Sequence, residues 1–429
     1  MTDALVVVVF VAAYVLIATE WVHRVVVALV GAGLMLLFRV VSGTEAFHSE
    51  KFGIDWNVIF LLLGMMIIVG AMRHTGLFEY LAIWSAKRAE GRPFRIMVIL
   101  VVITAVASAV LDNVTTMLLV APVTVLLAER LGVPPVPFLV AEVMASNIGG
   151  MATLVGDPPN IIIGSEAGIS YVEFIVNLGP LALILILVFV VLAKRLFGSA
   201  LAYHPDRVEE VMALDAREAL TPGPLLPRSL AVLGIVTLGF LFHGALHYEP
   251  SVVALMGAGT LLLVSRGETE TFLGEVEWPT LLFFMGLFVL VGALVKVGVI
   301  DRLAELAIGL TEGNLLLAVV LIVLLSALLS AVVDNIPYVA AMAPLVAKLA
   351  GAFPAGEATV LWWALAIGAD LGGNATSIGA SANVVVLGVA ERSGYRIRFV
   401  EFLKYGWIVT VVTLGVSLAY LWVRYFAFR

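Results

Sequence analysis

The chain contains no cysteine in 429 residues. Disulfides, iron–sulfur clusters and thiolate metal sites are therefore excluded. Charge is scarce as well. Asp, Glu, Lys and Arg together make up 13% of the residues, roughly half the share of about 25% found in soluble domains. The net charge of −7 sits in the loops and says little about partners. No basic run is interleaved with aromatics, so nothing points to nucleic acid. No Gly-x-x-x-x-Gly-Lys-Ser/Thr sequence is present, so the chain carries no Walker-type nucleotide site of its own. Histidine is limited to six residues. His243 and His247 stand one helical turn apart but have no following Glu, and an interfacial role outweighs a shared metal.

What is present is apolar. Hydrophobic residues make up 62% of the chain. The runs Ala4–Thr19, Trp56–Met72 and Phe174–Leu192 are each about long enough to cross a hydrocarbon core of about 30 Å. This reads as an all-α polytopic membrane protein. The first run lacks a basic leader, and Glu20–Arg24 passes straight into a second apolar run, so it reads as a span and not as a signal peptide.

Two Asp-Asn dipeptides interrupt this apolar background. Asp112-Asn113 lies in SAVLDNVTTMLLVAP and Asp334-Asn335 in SAVVDNIPYVAAMAP, 222 residues apart. The same offset aligns Asp55–Ala82 with Glu277–Ala304, including Gly64, Gly70 and Gly76 with Gly286, Gly292 and Gly298. An offset of 223 aligns Gly149–Asn160 with Gly372–Asn383. Chance does not hold such a register, so the chain is read as an internal duplication. The first repeat covers 1–197, a polar linker 198–227, and the second repeat 228–429.

Spans are expected at about 4–19, 24–41, 57–73, 136–167 and 173–195, and again at 229–246, 250–266, 279–297, 358–391 and 402–424. Re-entrant helical hairpins are expected at about 94–129 and 315–348, with the Asp-Asn pairs at their tips. The 136–167 and 358–391 spans are broken by Gly-rich stretches, which at membrane depth are tolerated only where they line a cavity or lie within protein. Five crossings per half make the halves inverted. With the N-terminus outside, 17 of the 24 basic residues fall on the cytoplasmic side, as the positive-inside rule requires. Both termini are then extracytoplasmic and the protein is a multi-pass component of the cell (inner) membrane. Asp206–Leu220 reads as a solvated cytoplasmic helix, and Leu77–Arg88 and Ile300–Leu310 as amphipathic interfacial helices.

A carboxylate inside a membrane is costly and marks function by default. At a hairpin tip the helix ends direct their dipoles and unpaired backbone groups at one spot. Asp112 and Asp334 are accordingly the leading candidates for binding a small cation or a proton, although Asp is also a favoured helix cap. Their neighbours Asn113, Thr115, Thr116 and Asn335 add oxygens. The broken spans contribute Gly149, Thr153 and Asn160 in one half, and Gly372, Asn374, Thr376, Ser377, Ser381 and Asn383 in the other. Na+ is placed at Asp112, Asn113 and Asn160, and at Asp334, Asn335 and Asn383. Asn147 pairs with Asp370 across the repeat, so that position is polar in both halves. Asp157 has Ala380 as its counterpart, and is either an ion ligand of one half or a cap before Pro158-Pro159. Glu142 is either a proton carrier or a residue near the cytoplasmic surface.

LDNVTTMLLVAPVT (111–124) and NIGGMATLVGDPPNIII (147–163) resemble signatures of the ion transporter superfamily. They are most similar to the arsenite permease/sodium–proton antiporter (ArsB/NhaD) family and its P-protein-like members, which share a citrate-transporter-like domain. The resemblance covers nearly the whole chain. It implies a cation between each hairpin tip and the Gly-rich break of the same half, with substrate between the tips. It also implies a homodimer with a static scaffold and an elevator-type transport domain. Related dicarboxylate transporters carry Ser-Asn-Thr at the tips. Here Asp112-Asn113-Val114 and Asp334-Asn335-Ile336 replace it, and a carboxylate at each tip repels an anion.

The leading reading is a secondary active transporter of a small inorganic ion or solute, without a cofactor, coupled to H+ and/or Na+. Na+/H+ antiport and arsenite efflux both fit. A Na+-coupled carboxylate transporter and the membrane subunit of an ATP-driven arsenite pump, which needs a separate ATPase, are the alternatives. An enzyme is not indicated. The Gly-x-Gly-Asp motif of intramembrane aspartyl proteases is absent, since Leu154-Val155-Gly156 precedes Asp157. A passive channel is disfavoured by the duplicated broken helices.

Overall fold

The computed structural model describes residues 2–427 apart from 20, 50, 202–207, 209–211, 266–268 and 355. Among the described residues there are helices and turns but no strand. The first part of the chain forms Thr2–Thr19, Arg24–Leu37, the short Gly43–His48, Trp56–Arg73, Leu77–Arg88, Pro93–Val110, Asn113–Leu131, Val136–Gly150, Pro158–Ala167 and Tyr171–Phe197. The remainder runs through the same kinds of element: Leu225–Leu246, Pro250–Ser265, the short Thr269–Gly274, Trp278–Lys296, Val299–Thr311, Leu315–Ser330, Asn335–Ala350, Thr359–Gly372, Ser381–Arg392 and Phe399–Tyr425. Of the helix expected over Asp206–Leu220, the first part falls largely outside the described residues, and the end is a short 3-10 turn, Ala216–Ala219.

Among the described residues seven helices are long and apolar enough to cross a membrane, and six further apolar helices have 10–17 residues. The helix expected over 24–41 ends at Leu37. It has 14 residues, about 21 Å of helix. It ends because Arg39 takes a positive φ of 55°, which turns Val40 back so that its amide reaches Met35 O at 3.0 Å. The broken spans are likewise pairs of short helices, Val136–Gly150 with Pro158–Ala167 and Thr359–Gly372 with Ser381–Arg392. Large apolar side chains stay exposed along the long helices, among them Leu183, Leu187, Ile235 and Leu263. Such a patch suits lipid and not water.

Small residues set how closely the helices approach. A Cβ at Gly149 would stand 2.1 Å from Ala105 O, and one at Gly372 would stand 2.5 Å from Ala327 Cα. Each hairpin's first helix is thus pressed against the first half of the broken helix that follows it. These contacts set the hairpin tips beside the helix breaks.

Candidate functional site

At each tip the Asp is the N-cap residue and the Asn is the first helical residue. An N-cap carboxylate bonds to the free amides of the first turn. Asp112 Oδ1 accepts from Thr115 N at 2.8 Å, and its Oδ2 accepts from Thr115 Oγ1 at 2.5 Å. Asp334 Oδ1 accepts from Ile336 N at 3.0 Å. Its Oδ2 accepts from Ser381 Oγ at 2.5 Å and lies 3.4 Å from Arg24 Nη1. Both aspartates therefore serve their own helix, and the asparagines turn inward.

Each break is held by the same set of bonds. Asn160 Nδ2 donates to Gly150 O at 3.2 Å and Thr153 O at 3.1 Å. Asn383 Nδ2 donates to Gly373 O at 2.7 Å and Thr376 O at 2.8 Å. Thr153 Oγ1 donates to Ala109 O at 2.6 Å and Thr376 Oγ1 to Ala331 O at 2.5 Å, tying each break to its hairpin. Non-helical backbone buried this deeply needs such partners. Gly149 and Gly372 act through close packing, Ser377 is buried in the second break, and Ser381 joins the Asp334 cap.

The breaks and tips meet at one buried carboxylate. Asn113 Nδ2 donates to Asp157 Oδ2 at 2.7 Å and to Asn147 Oδ1 at 3.2 Å. Asn335 Nδ2, from the other tip, lies 3.3 and 3.2 Å from the two oxygens of Asp157. Asn147 Nδ2 donates to Asn374 Oδ1 at 2.9 Å and Asn383 Oδ1 at 3.2 Å. Asp370 lies close enough to this group for its charge to be felt at Asp157. Asp157 is 1% exposed and Asp370 0%. Both Asp370 oxygens, with Asn113 Oδ1 and Asn160 Oδ1, are buried without a hydrogen-bond partner. Native interiors seldom leave such oxygens unmet unless something binds there.

The tip side chains thus do not group in the way expected for Na+, each Asp-Asn tip with its own half's Asn. Asn113 and Asn335 converge on Asp157, and the oxygens of Asp112 and Asp334 are engaged elsewhere, because an N-cap carboxylate is drawn to its own first turn. Thr115 closes the Asp112 cap, whereas Thr116 Oγ1 is buried and unpartnered. Among the described residues no three His, Asp or Glu side chains come together as a metal site. Arg24 is the contact that sequence reading misses. It counts there only as a loop charge, yet its Nη1 donates to Ser381 Oγ at 2.8 Å and it stacks 5.4 Å from the Phe283 ring. Its place directly before an apolar run was the one available signal. Glu142 is fully buried and not at the surface.

A sequence profile described as citrate transporter, CitMHS, matches residues 14–368. An uncharacterized transporter of Mycobacterium tuberculosis is 53% identical over 97% of this chain and 97% of its own length. The P protein of Homo sapiens is 35% identical over 96% of this chain and 59% of its own length. Among solved structures, Neisseria gonorrhoeae MtrF, of a class of antimetabolite efflux pumps, aligns with a TM-score of 0.63 over 96% of this chain and 95% of that one. At 12% identity that likeness concerns the fold alone. The matched profile names citrate transporters and not the arsenite permease/antiporter branch. With a helical fold built to span a bilayer, the chain belongs to the CitMHS citrate transporter family of the ion transporter superfamily, as a secondary transporter and not an enzyme.

Proposed function

We propose that the protein exchanges protons for a small cation, with Na+ the best fit, at the Asp157–Asp370 cluster. One observation carries this reading. Two buried carboxylates lie close enough for the charge of one to be felt at the other, amides from both hairpin tips converge on one of them, and the other keeps both oxygens free. Buried carboxylates without a counter-charge are costly. Each therefore needs a proton or a cation, and competition between the two for the same oxygens is the coupling. Replacing Asp157 or Asp370 by Asn keeps the shape and removes the charge. Coupled flux in proteoliposomes should fall by roughly a hundredfold or more, with the purified protein still monodisperse. Wild-type flux in both variants would sink the assignment.

A second reading, uptake or efflux of a carboxylate, draws on the family's description and on Arg24, the basic side chain at the second hairpin tip. Flux of labelled citrate against flux of Na+ in the same vesicles separates the two. Arsenite efflux, as in the related permease branch, is separated by the same assay with arsenite.

The reading includes inverted halves, an elevator-type homodimer in the cell membrane, and both termini outside. Native cysteine is absent, so one cysteine placed at Ala213 should label only from the cytoplasm and one at Ser49 only from outside. The reverse pattern refutes the orientation.

A further inference from the structure

Glu142 lies outside the cluster just described. It sits on Val136–Gly150, five residues before Asn147, about 7.5 Å along the helix. It is 0% exposed. Thr124 Oγ1, from the second helix of the first hairpin, donates to its Oε1 at 2.8 Å. Its Oε2 is buried with no partner. The helices packed most closely on this one are Pro93–Val110, Asn113–Leu131, Tyr171–Phe197, Thr359–Gly372 and Ser381–Arg392. They carry Arg95; Glu129 and Arg130; Glu173, Lys194 and Arg195; Asp370; and Glu391 and Arg392. Among the described residues none of these forms an ion pair with Glu142, whose polar partner is Thr124 alone.

Between Glu142 and the cluster the interior is lined with hydroxyls. Ser146, one turn on, lies 3.1 Å from Ser108 Oγ and 3.4 Å from Asn113 O. Thr116 Oγ1 and Thr104 Oγ1 are buried and unpartnered. The second half differs at the places of Glu142 and Thr124. Leu365 and Val346 stand there, both 0% exposed. At the places of Thr116 and Thr104, Tyr338 OH closes on Ser326 Oγ at 2.9 Å.

We propose that Glu142, held by Thr124, is a second proton-binding residue that exchanges protons with the Asp157–Asp370 cluster. The inference rests on the proton-coupled reading above. Because Thr124 donates to Oε1, the proton rides on Oε2. It leaves there for the hydroxyl-lined interior and the carboxylates at its end, and returns to Oε2 by the same path when they release it. The absence of a counterpart to Glu142 in the second half confines this path to the first.

The test uses full-length protein in proteoliposomes and two modes of flux: Na+ driven by a pH gradient, and Na+/Na+ exchange at equal pH. Glu142→Gln should slow the proton-driven mode by roughly tenfold or more and leave exchange close to wild type. Thr124→Val keeps the carboxyl but removes its donor, and should displace the pH profile of the proton-driven mode. A Glu142→Gln protein with wild-type proton-driven flux and pH profile overturns the inference, as does an equal loss in both modes. If Glu142→Gln does not fold, an unchanged pH profile in Thr124→Val overturns it. A wild-type protein that moves no protons in either mode removes the coupling reading itself, and this inference with it, whereas failure confined to the variants leaves that reading standing.

Discussion

The first hairpin and its broken helix place Thr104, Thr116, Thr124 and Glu142 along one buried seam. The second places Ser326, Tyr338, Val346 and Leu365 at the same positions. The backbones differ little there. Gly149 and Gly372 make the same close approach, Asn160 and Asn383 close the same breaks, and Thr153 and Thr376 reach back to the same point on each hairpin. What the two regions share is the set of bonds that builds the shape. What differs is the polarity packed inside it. The second half is apolar at the places of Glu142 and Thr124, and the first half supplies the carboxylate at position 157 where the second has Ala380.

That contrast can be broken most severely by planting the missing acid. Leu365→Glu puts a carboxyl where no hydroxyl awaits it, and should lower stability by roughly 3–5 kcal/mol. Adding Val346→Thr, which recreates the donor, should return about 1 kcal/mol. Thermal unfolding in detergent measures both. If Leu365→Glu is as stable as wild type, the second half is not dry at that position.

A smaller difference separates the two caps. Asp112→Ala removes one N-cap and should cost about 1 kcal/mol. Asp334→Ala removes a cap and also strips a partner from Arg24 and Ser381, so it should cost roughly twice as much. The excess should shrink when Arg24→Gln is combined with it, leaving the share due to Ser381. Equal costs for the two single variants, or an excess unchanged without Arg24, would show that the guanidinium is not energetically tied to the tip.

The helical class, the hairpins and the breaks were legible because each has a local cause: apolar runs, Asp-Asn at a cap, glycines at a close approach. The direction of the tip side chains was harder to read. An Asp-Asn pair offers two polar groups to one turn, and only the capping geometry of Asp112 and Asp334 sends Asn113 and Asn335 inward instead. Asp157, undecided from sequence, proves to be the acceptor for both asparagines because the first break carries it between the tips. Arg24 was out of reach. It meets Asp334 across 310 positions of sequence, and no repeat or periodicity marks such a pairing. The early end of Arg24–Leu37 was hidden too, since Val40 and Val41 continue the apolar run beyond the helix.

The two glycine contacts have a mechanical consequence. With Gly149 against the Ala105 backbone, Ser108 Oγ on Ser146 O at 2.8 Å and Thr153 on Ala109 O, a hairpin and its broken helix are riveted at three heights. The second half repeats the rivets with Gly372, Ser330 on Ala369 O at 2.7 Å, and Thr376. Neither pair can shear internally without driving a Cα into a backbone atom. By contrast, the first two helices hold the second hairpin through Tyr14 on Pro337 O and through Arg24 on Ser381 and Asp334. Each hairpin is thus locked to its own broken helix by backbone packing, whereas Tyr14 and Arg24 tie the first two helices to the second hairpin and its break by side-chain hydrogen bonds.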